Sequence, residues 1–168
     1  MQIGLTWPLQ RLLRCSVPYG EPVDRGRCWD AHCITLHGRA SLLLVHCESR
    51  YTCVRFDLSP QDWQDLTAIV HEEIRLGLLD AGVEEHRADA YLAAAESICF
   101  TRTHGRREVG FLNRAWEDVL RSDWLVDLEQ GHQFLLGQEV NSRPCRCAGR
   151  GMTASAKEHL EHWLYGVN

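Results

Sequence analysis

A chain of 168 residues with 45% hydrophobic content is long enough to bury one core and short for two, so a single domain spanning residues 1–168 is expected. The formal charge of −5 and a pI near 6.0 argue against a general nucleic-acid binder, which would carry a basic excess over the whole domain. No run approaches the roughly 20 apolar residues that span a bilayer.

In "MQIGLT" the alternation sets Ile3 and Leu5 on one side, an opening strand, and Pro8 suits the first turn of a short helix ending at Leu13. Residues Cys15 to Arg27, with two prolines and two glycines, read as a loop. "WDAHCITL", "ASLLLVHC" and "YTCVRFDL", joined by "HGR" and "ESR", predict a three-strand antiparallel meander. In the third strand Val54, Phe56 and Leu58 fall on one face and Tyr51, Cys53 and Arg55 on the other. A long helix from Ser59 to Gly82 should cover one sheet face. Ser59 is its N-cap, Pro60 and Asp62 stand in the first turn, and Trp63, Leu66, Ile69 or Val70, Ile74 and Leu78 recur at helical spacing.

A second helix is expected over Glu84 to Ala95, and "SICFTRT" returns to strand character. Helical patterns follow in "VGFLNRAWEDVLRS" and "WLVDLEQGHQFLLGQEV". The loop "NSRPCRCAGRG" then separates them from a last helix, "TASAKEHLEHWLYG". The predicted fold is α+β: a small, mostly antiparallel sheet covered by helices, with a helical C-terminal third.

Eight cysteines without a secretory leader in Met1 to Leu13 imply a reducing cytoplasm, where a small thiol packs well inside strands. Lys157 is the only lysine, so 17 of the 18 basic side chains are arginines, whose planar forks suit carboxylates and phosphates.

The order of landmarks resembles a family of small bacterial proteins of unknown function. Trp29 and Ala31 match a Trp-x-Ala-Asn strand in which His32 replaces asparagine. Thr103, Arg106, Gly110 and Asn113 match a Thr-x-x-Arg-x-x-x-Gly-x-x-Asn motif. The resemblance covers nearly the full length. Phe111 and Leu112 depart from the family's polar residues and imply a more apolar pocket; no activity carries over.

The same motif is the first candidate site. Arg102, Thr103, His104, Arg106 and Arg107 cluster around Gly105, and the free N–H groups of the helix that follows can join them around an anion. The alternative is a solvated turn paired with Glu108 and other acids.

The second candidate is a metal site. Cys145, Cys147, His159 and His162 stand in a C-x-C…H-x-x-H order and are zinc-ligand types. "NSRPCRC" also looks like the start of the short zinc motif at the tail of the bacterial secretion ATPase, whose later ligands would fall near Ala156 and Lys157. "HEEIR", His71 to Arg75, lacks the second histidine of a metalloprotease helix, leaving His71 and Glu72 on an exposed flank. His32 and His46 can face one another on neighbouring strands, with Cys33 and Cys47 on their far sides, so Cys–His catalysis is an alternative to a sheet of buried thiols and partly exposed imidazoles.

Among the six tryptophans, Trp63, Trp116 and Trp163 lie on helix faces and are expected in the core. Trp7, Trp29 and Trp124 stand near element ends, and Trp29, beside Asp30 and His32, is an expected interface anchor.

These features predict a non-catalytic cytoplasmic protein that binds another protein through charged surfaces, such as an inhibitor, an antitoxin-like regulator or a counter-defence factor of anti-CRISPR type. Neither direct nucleic-acid binding, membrane insertion nor a cofactor is expected. Two alternatives stand beside this: an enzyme or nucleotide-binding protein using Thr103 to Asn113 as a phosphate site, and a small zinc-dependent domain.

Overall fold

The opening alternation builds β1 (Gln2–Leu5), and Pro8 stands in the first turn of α1 (Trp7–Leu12). The three central runs form β2 (Cys28–Leu36), β3 (Arg39–His46) and β4 (Thr52–Arg55), an antiparallel meander. The turn between β2 and β3 is His37 (φ 47°) and Gly38 (φ 76°). Two left-handed residues in a two-residue hairpin match the twist of the flanking strands, and glycine takes that conformation without steric cost.

The computed structural model describes residues 1–21, 24–95, 97–147 and 153–166. Its main sheet has the order β4-β3-β2-β1-β5, where β5 is Cys99–Arg102. The α+β class holds, and the sheet is mixed: β1 runs parallel to both β2 and β5.

Ser59 caps α2 (Pro60–Gln64) in a reciprocal box with Asp62. The expected long helix is divided at Asp65, where the backbone leaves helical geometry (φ −105°, ψ 43°) before α3 (Leu66–Asp80). Trp63, Leu66, Val70, Ile74 and Leu78 are buried as the spacing requires, and α4 (Glu85–Ala93) follows.

Both sheet faces are covered, where one was expected. Helices α1, α3 and α4 pack a core that includes Ile3, Leu5, Trp29, Leu42, Leu44, Tyr51, Cys53 and Val70. On the opposite face α5 (Arg106–Arg121) and α6 (Phe134–Ser142) close a second core over Leu43, Val45, Val54 and Phe56. Val54 and Phe56 oppose Tyr51 and Cys53, as the two-residue repeat demands. Leu58 joins the other core because Asp57, at φ 57°, turns the chain over between them.

The segment expected as a loop before the last helix contains a second, two-stranded sheet, β6 (Pro144–Arg146) with β7 (Thr153–Ser155). Residues 148–152 of that loop, and 22–23 of the loop before β2, lie outside the described residues. Ser155 and Glu158 form the capping box of α7 (Ala156–Tyr165). All eight cysteines are free thiols, with Cys28, Cys47 and Cys53 buried in or beside the strands.

Candidate functional site

Where β5 gives way to α5, successive residues of the Thr103–Asn113 motif leave in different directions. Arg102 turns outward, stacks 4.4 Å from the Tyr19 ring centroid and donates to Tyr19 Oη at 3.0 Å. His104 turns inward, and its Nδ1 donates to Asp30 Oδ1 at 2.6 Å while its backbone N–H faces the same carboxylate at 3.3 Å. Asp30 is fully buried on β2. Gly4 makes room for the pair, since a Cβ there would stand 2.0 Å from Asp30 Oδ1 and 2.8 Å from Thr103 Cα.

Burial alone would disfavour the His104 imidazolium, but the hydrogen bonds and negative charge of Asp30, with Cys28, outweigh it and hold its pKa up at about 9. Cys47 Sγ lies 3.5 Å from the same Nδ1, whereas Nε2 is buried without a partner among the described residues. A nucleophile relay requires the imidazole to bridge thiol and carboxylate through its two different nitrogens. Here both neighbours crowd one nitrogen, and burial pushes the Cys47 thiol up, away from the reactive thiolate. The Asp30–His104 pair is therefore a clamp that fixes the turn leading into α5.

Past Gly105 the motif faces a separate cavity of about 500 Å³. Arg106, Gly110 and Arg114 follow one another at four-residue spacing and form one stripe of α5, with open space over Gly110. Arg50, Arg107, Phe111, Cys145, Arg146 and Thr153 complete much of the wall. Arg107 donates to Glu108 at 2.8 Å and to the Cys47 carbonyl at 3.2 Å, and Arg25 also pairs with the buried Glu108. Glu108, in the first turn of α5, thus supplies the negative charge that this helix end favours, so the helix terminus expected to hold a foreign anion is matched by the chain itself. Arg50 pairs with Asp118, which also accepts from Arg143 at 3.1 Å.

The other three guanidinium groups differ. Among the described residues, Arg106, Arg114 and Arg146 have no carboxylate within 4.0 Å, and all three are exposed. Five arginines from α5, β6 and the β3–β4 turn therefore line one concavity, three of them without a counter-ion among the described residues. Such a wall favours a polyanionic group, which it can grip with paired N–H donors.

Trp29 requires a correction. It is fully buried at the start of β2, where Nε1 donates to Tyr91 Oη at 2.9 Å, and it is a core residue, unavailable as an interface anchor. His32 is half-buried, hydrogen-bonded to Thr6 Oγ1 at 2.8 Å and set edge-on to Trp116. Trp116, expected in the core, is 38% exposed. His46 faces Trp29 across the β2–β3 pairing instead of His32, and its burial lowers its pKa to about 4. Thr103 lines a different cavity of about 290 Å³ with Arg102 and His104, and Asn113 is exposed outside both cavities. Arg102, His104, Arg106 and Asn113 thus do not gather around one pocket, as an enzyme built on the whole motif would need.

Of the four metal-ligand candidates, Cys145, Cys147 and His159 converge, with ligand atoms all within 4.8 Å of one another. His162 lies apart, in a shallow depression with Glu158, Glu161 and Tyr165. A hydrogen bond from Cys147 pulls the Cys145 thiol down despite burial, helped by Arg50 and His159, and pushes Cys147 up.

Sequence reasoning left Arg50 and Arg146 out of the cationic site because they are distant in the chain. Arg146 is exposed on β6, whereas the Arg50 side chain is largely buried against Asp118. A larger cavity, about 980 Å³ between α1, α2 and the sheet, is lined mainly by apolar side chains such as Leu12, Val17, Trp63 and Phe100, and the charged groups do not collect there.

Fold and site together define an α+β protein whose open, arginine-lined cavity is its main chemical feature. The chain belongs to the family described as a domain of unknown function, DUF6933, which matches residues 2–158. Among curated proteins none matches it. No helix among the described residues is long and apolar enough to cross a membrane.

Proposed function

We propose that this chain is a non-catalytic cytoplasmic binding protein that holds an acidic segment of another protein in the cavity bounded by Arg50, Arg106, Arg107, Arg114 and Arg146. The observation that carries this reading is the set of three guanidinium groups, on two separate elements, that have no carboxylate within 4.0 Å among the described residues and line the same cavity. An inhibitor or regulator working this way occupies its partner's acidic surface and needs no chemistry of its own. The net charge of −5 keeps the remainder of the surface from attracting anions at large, so attraction concentrates at the cavity.

The test is calorimetric titration with a polyglutamate peptide. Affinity should fall steeply between about 50 and about 200 mM salt, because the contacts are screened charge pairs. Arg106→Glu and Arg114→Glu should each weaken binding about tenfold, equivalent to about 1.4 kcal/mol, with the melting temperature held. Binding that ignores salt, or survives both reversals, overturns the reading.

A second reading is favoured by the concavity itself, since about 500 Å³ matches a small ligand as well as a peptide side chain. If a nucleoside triphosphate binds through the same arginines and polyglutamate does not, the natural ligand is a phosphate ester.

A further inference from the structure

We propose that Cys145, Cys147 and His159 form a zinc centre that fastens the β6–β7 hairpin to α7. The three side chains come from β6, the residue just after it and the second turn of α7. They are exposed by only 5%, 3% and 4%, and their ligand atoms lie within 4.8 Å of one another. Two sulfurs and one imidazole are a zinc donor set. Around a tetrahedral ion with Zn–S of about 2.3 Å and Zn–N of about 2.0 Å, such atoms stand about 3.5–3.8 Å apart, inside the observed spread.

The imidazole ring is held in place by one hydrogen bond. His159 Nε2 donates to the Cys145 carbonyl at 3.0 Å, which leaves the Nδ1 lone pair as the donor and fixes the ring, the arrangement that supports metal-bound histidines elsewhere. The packing around the centre gives an independent argument. Among the described residues, the hairpin and the start of α7 share a cluster of three buried apolar residues, Cys145, Cys147 and Ala156, and two of those are the thiols themselves. A core of that size holds two strands and a helix end weakly, and small units of this kind are commonly stapled by a metal.

The other convergent group, Asp30, Cys47 and His104, is a poorer candidate. It offers a single sulfur, and that sulfur and the Asp30 carboxylate both lie against the same imidazole nitrogen, Nδ1, which Asp30 already holds at 2.6 Å.

Zinc binding converts both thiols to thiolates, with the two protons passing to solvent and the neutral imidazole giving its lone pair. Three protein ligands leave one position of the tetrahedron for a further donor or solvent. The centre does not require an anion to be bound, although Cys145 lines the cationic cavity.

Metal analysis of the full chain purified under reducing conditions should find one zinc per chain. Removal with a chelator followed by cobalt(II) should give the thiolate-to-metal charge-transfer band of a sulfur-ligated tetrahedral ion. Cys147→Ser and His159→Gln should each weaken zinc binding at least tenfold, whereas Cys47→Ser and His162→Gln should leave it unchanged. Cobalt spectroscopy on the unaltered chain keeps the test valid should a variant misfold. The proposal falls if the reduced chain takes up no zinc or cobalt, if Cys47→Ser abolishes uptake while Cys147→Ser does not, or if Cys145 and Cys147 are isolated as a disulfide that survives the reductant. Arg106→Glu, which tests the anion site, should leave the metal content intact.

Discussion

Raising the pH should loosen the junction between α3 and α6 through a single imidazole, His132. Its Nδ1 donates to Glu73 at 2.8 Å and its Nε2 to Asp80 at 2.7 Å, both acids projecting from α3. Burial disfavours the imidazolium, but the two carboxylates outweigh it and lift the pKa to about 9 from an ordinary 6.5. Arg55 faces the same fully buried Glu73 at 3.8 Å. Because the folded chain holds the proton more tightly than the unfolded one, the contribution is complete below pH 6.5 and fades as the pH rises through about 9.

A shift of that size corresponds to roughly 3 kcal/mol at full strength, and screening of the partly exposed ring reduces it to about 1–2 kcal/mol. Urea denaturation at about pH 6 and about pH 9.5 reads it directly, with the unfolding slope as a check that compactness is unchanged. His104 titrates in the same window, so the measurement is a difference: His132→Gln should remove about half of the pH-dependent loss. A variant that retains the whole slope would refute the reasoning.

Two further outcomes follow from local geometry. Gly4→Ala should destabilise by about 3 kcal/mol or more in thermal or urea unfolding, since its Cβ would displace the Asp30 carboxylate at 2.0 Å and leave His104 with a broken clamp. Ser155→Ala removes the hydroxyl that accepts from the Glu158 N–H at 3.2 Å, and should cost about 1 kcal/mol; an unchanged urea midpoint would mean that α7 is held by other contacts.

The meander was legible because alternation and a two-residue turn specify it together, and α2 and α3 because Ser59 and a five-residue apolar stripe agree. The parallel pairing of β1 was not, since four residues of alternation name no partner. Nor were β6 and β7: three-residue strands in "PCR" and "TAS" carry too little pattern to distinguish them from a loop. The burial of Trp29 is not legible at a strand end, since nothing local announces that Tyr91, 62 residues away, receives its N–H. The motif between Thr103 and Asn113 was found as chemistry but read as one surface. The passage from strand to helix at Gly105 rotates its side chains apart, sending His104 inward to Asp30 and Arg106 outward to Arg146 and Arg114.

The seating of β1 between β2 and β5 bears on the order of events during synthesis. Met1's carbonyl and residues Gln2 to Leu5 find their last neighbours only when Cys99 to Arg102 have been made. A nascent chain that already holds its meander must therefore keep the other edge of β1 unpaired until Cys99 to Arg102 have emerged, the stage at which an open strand edge is most exposed to the wrong companion.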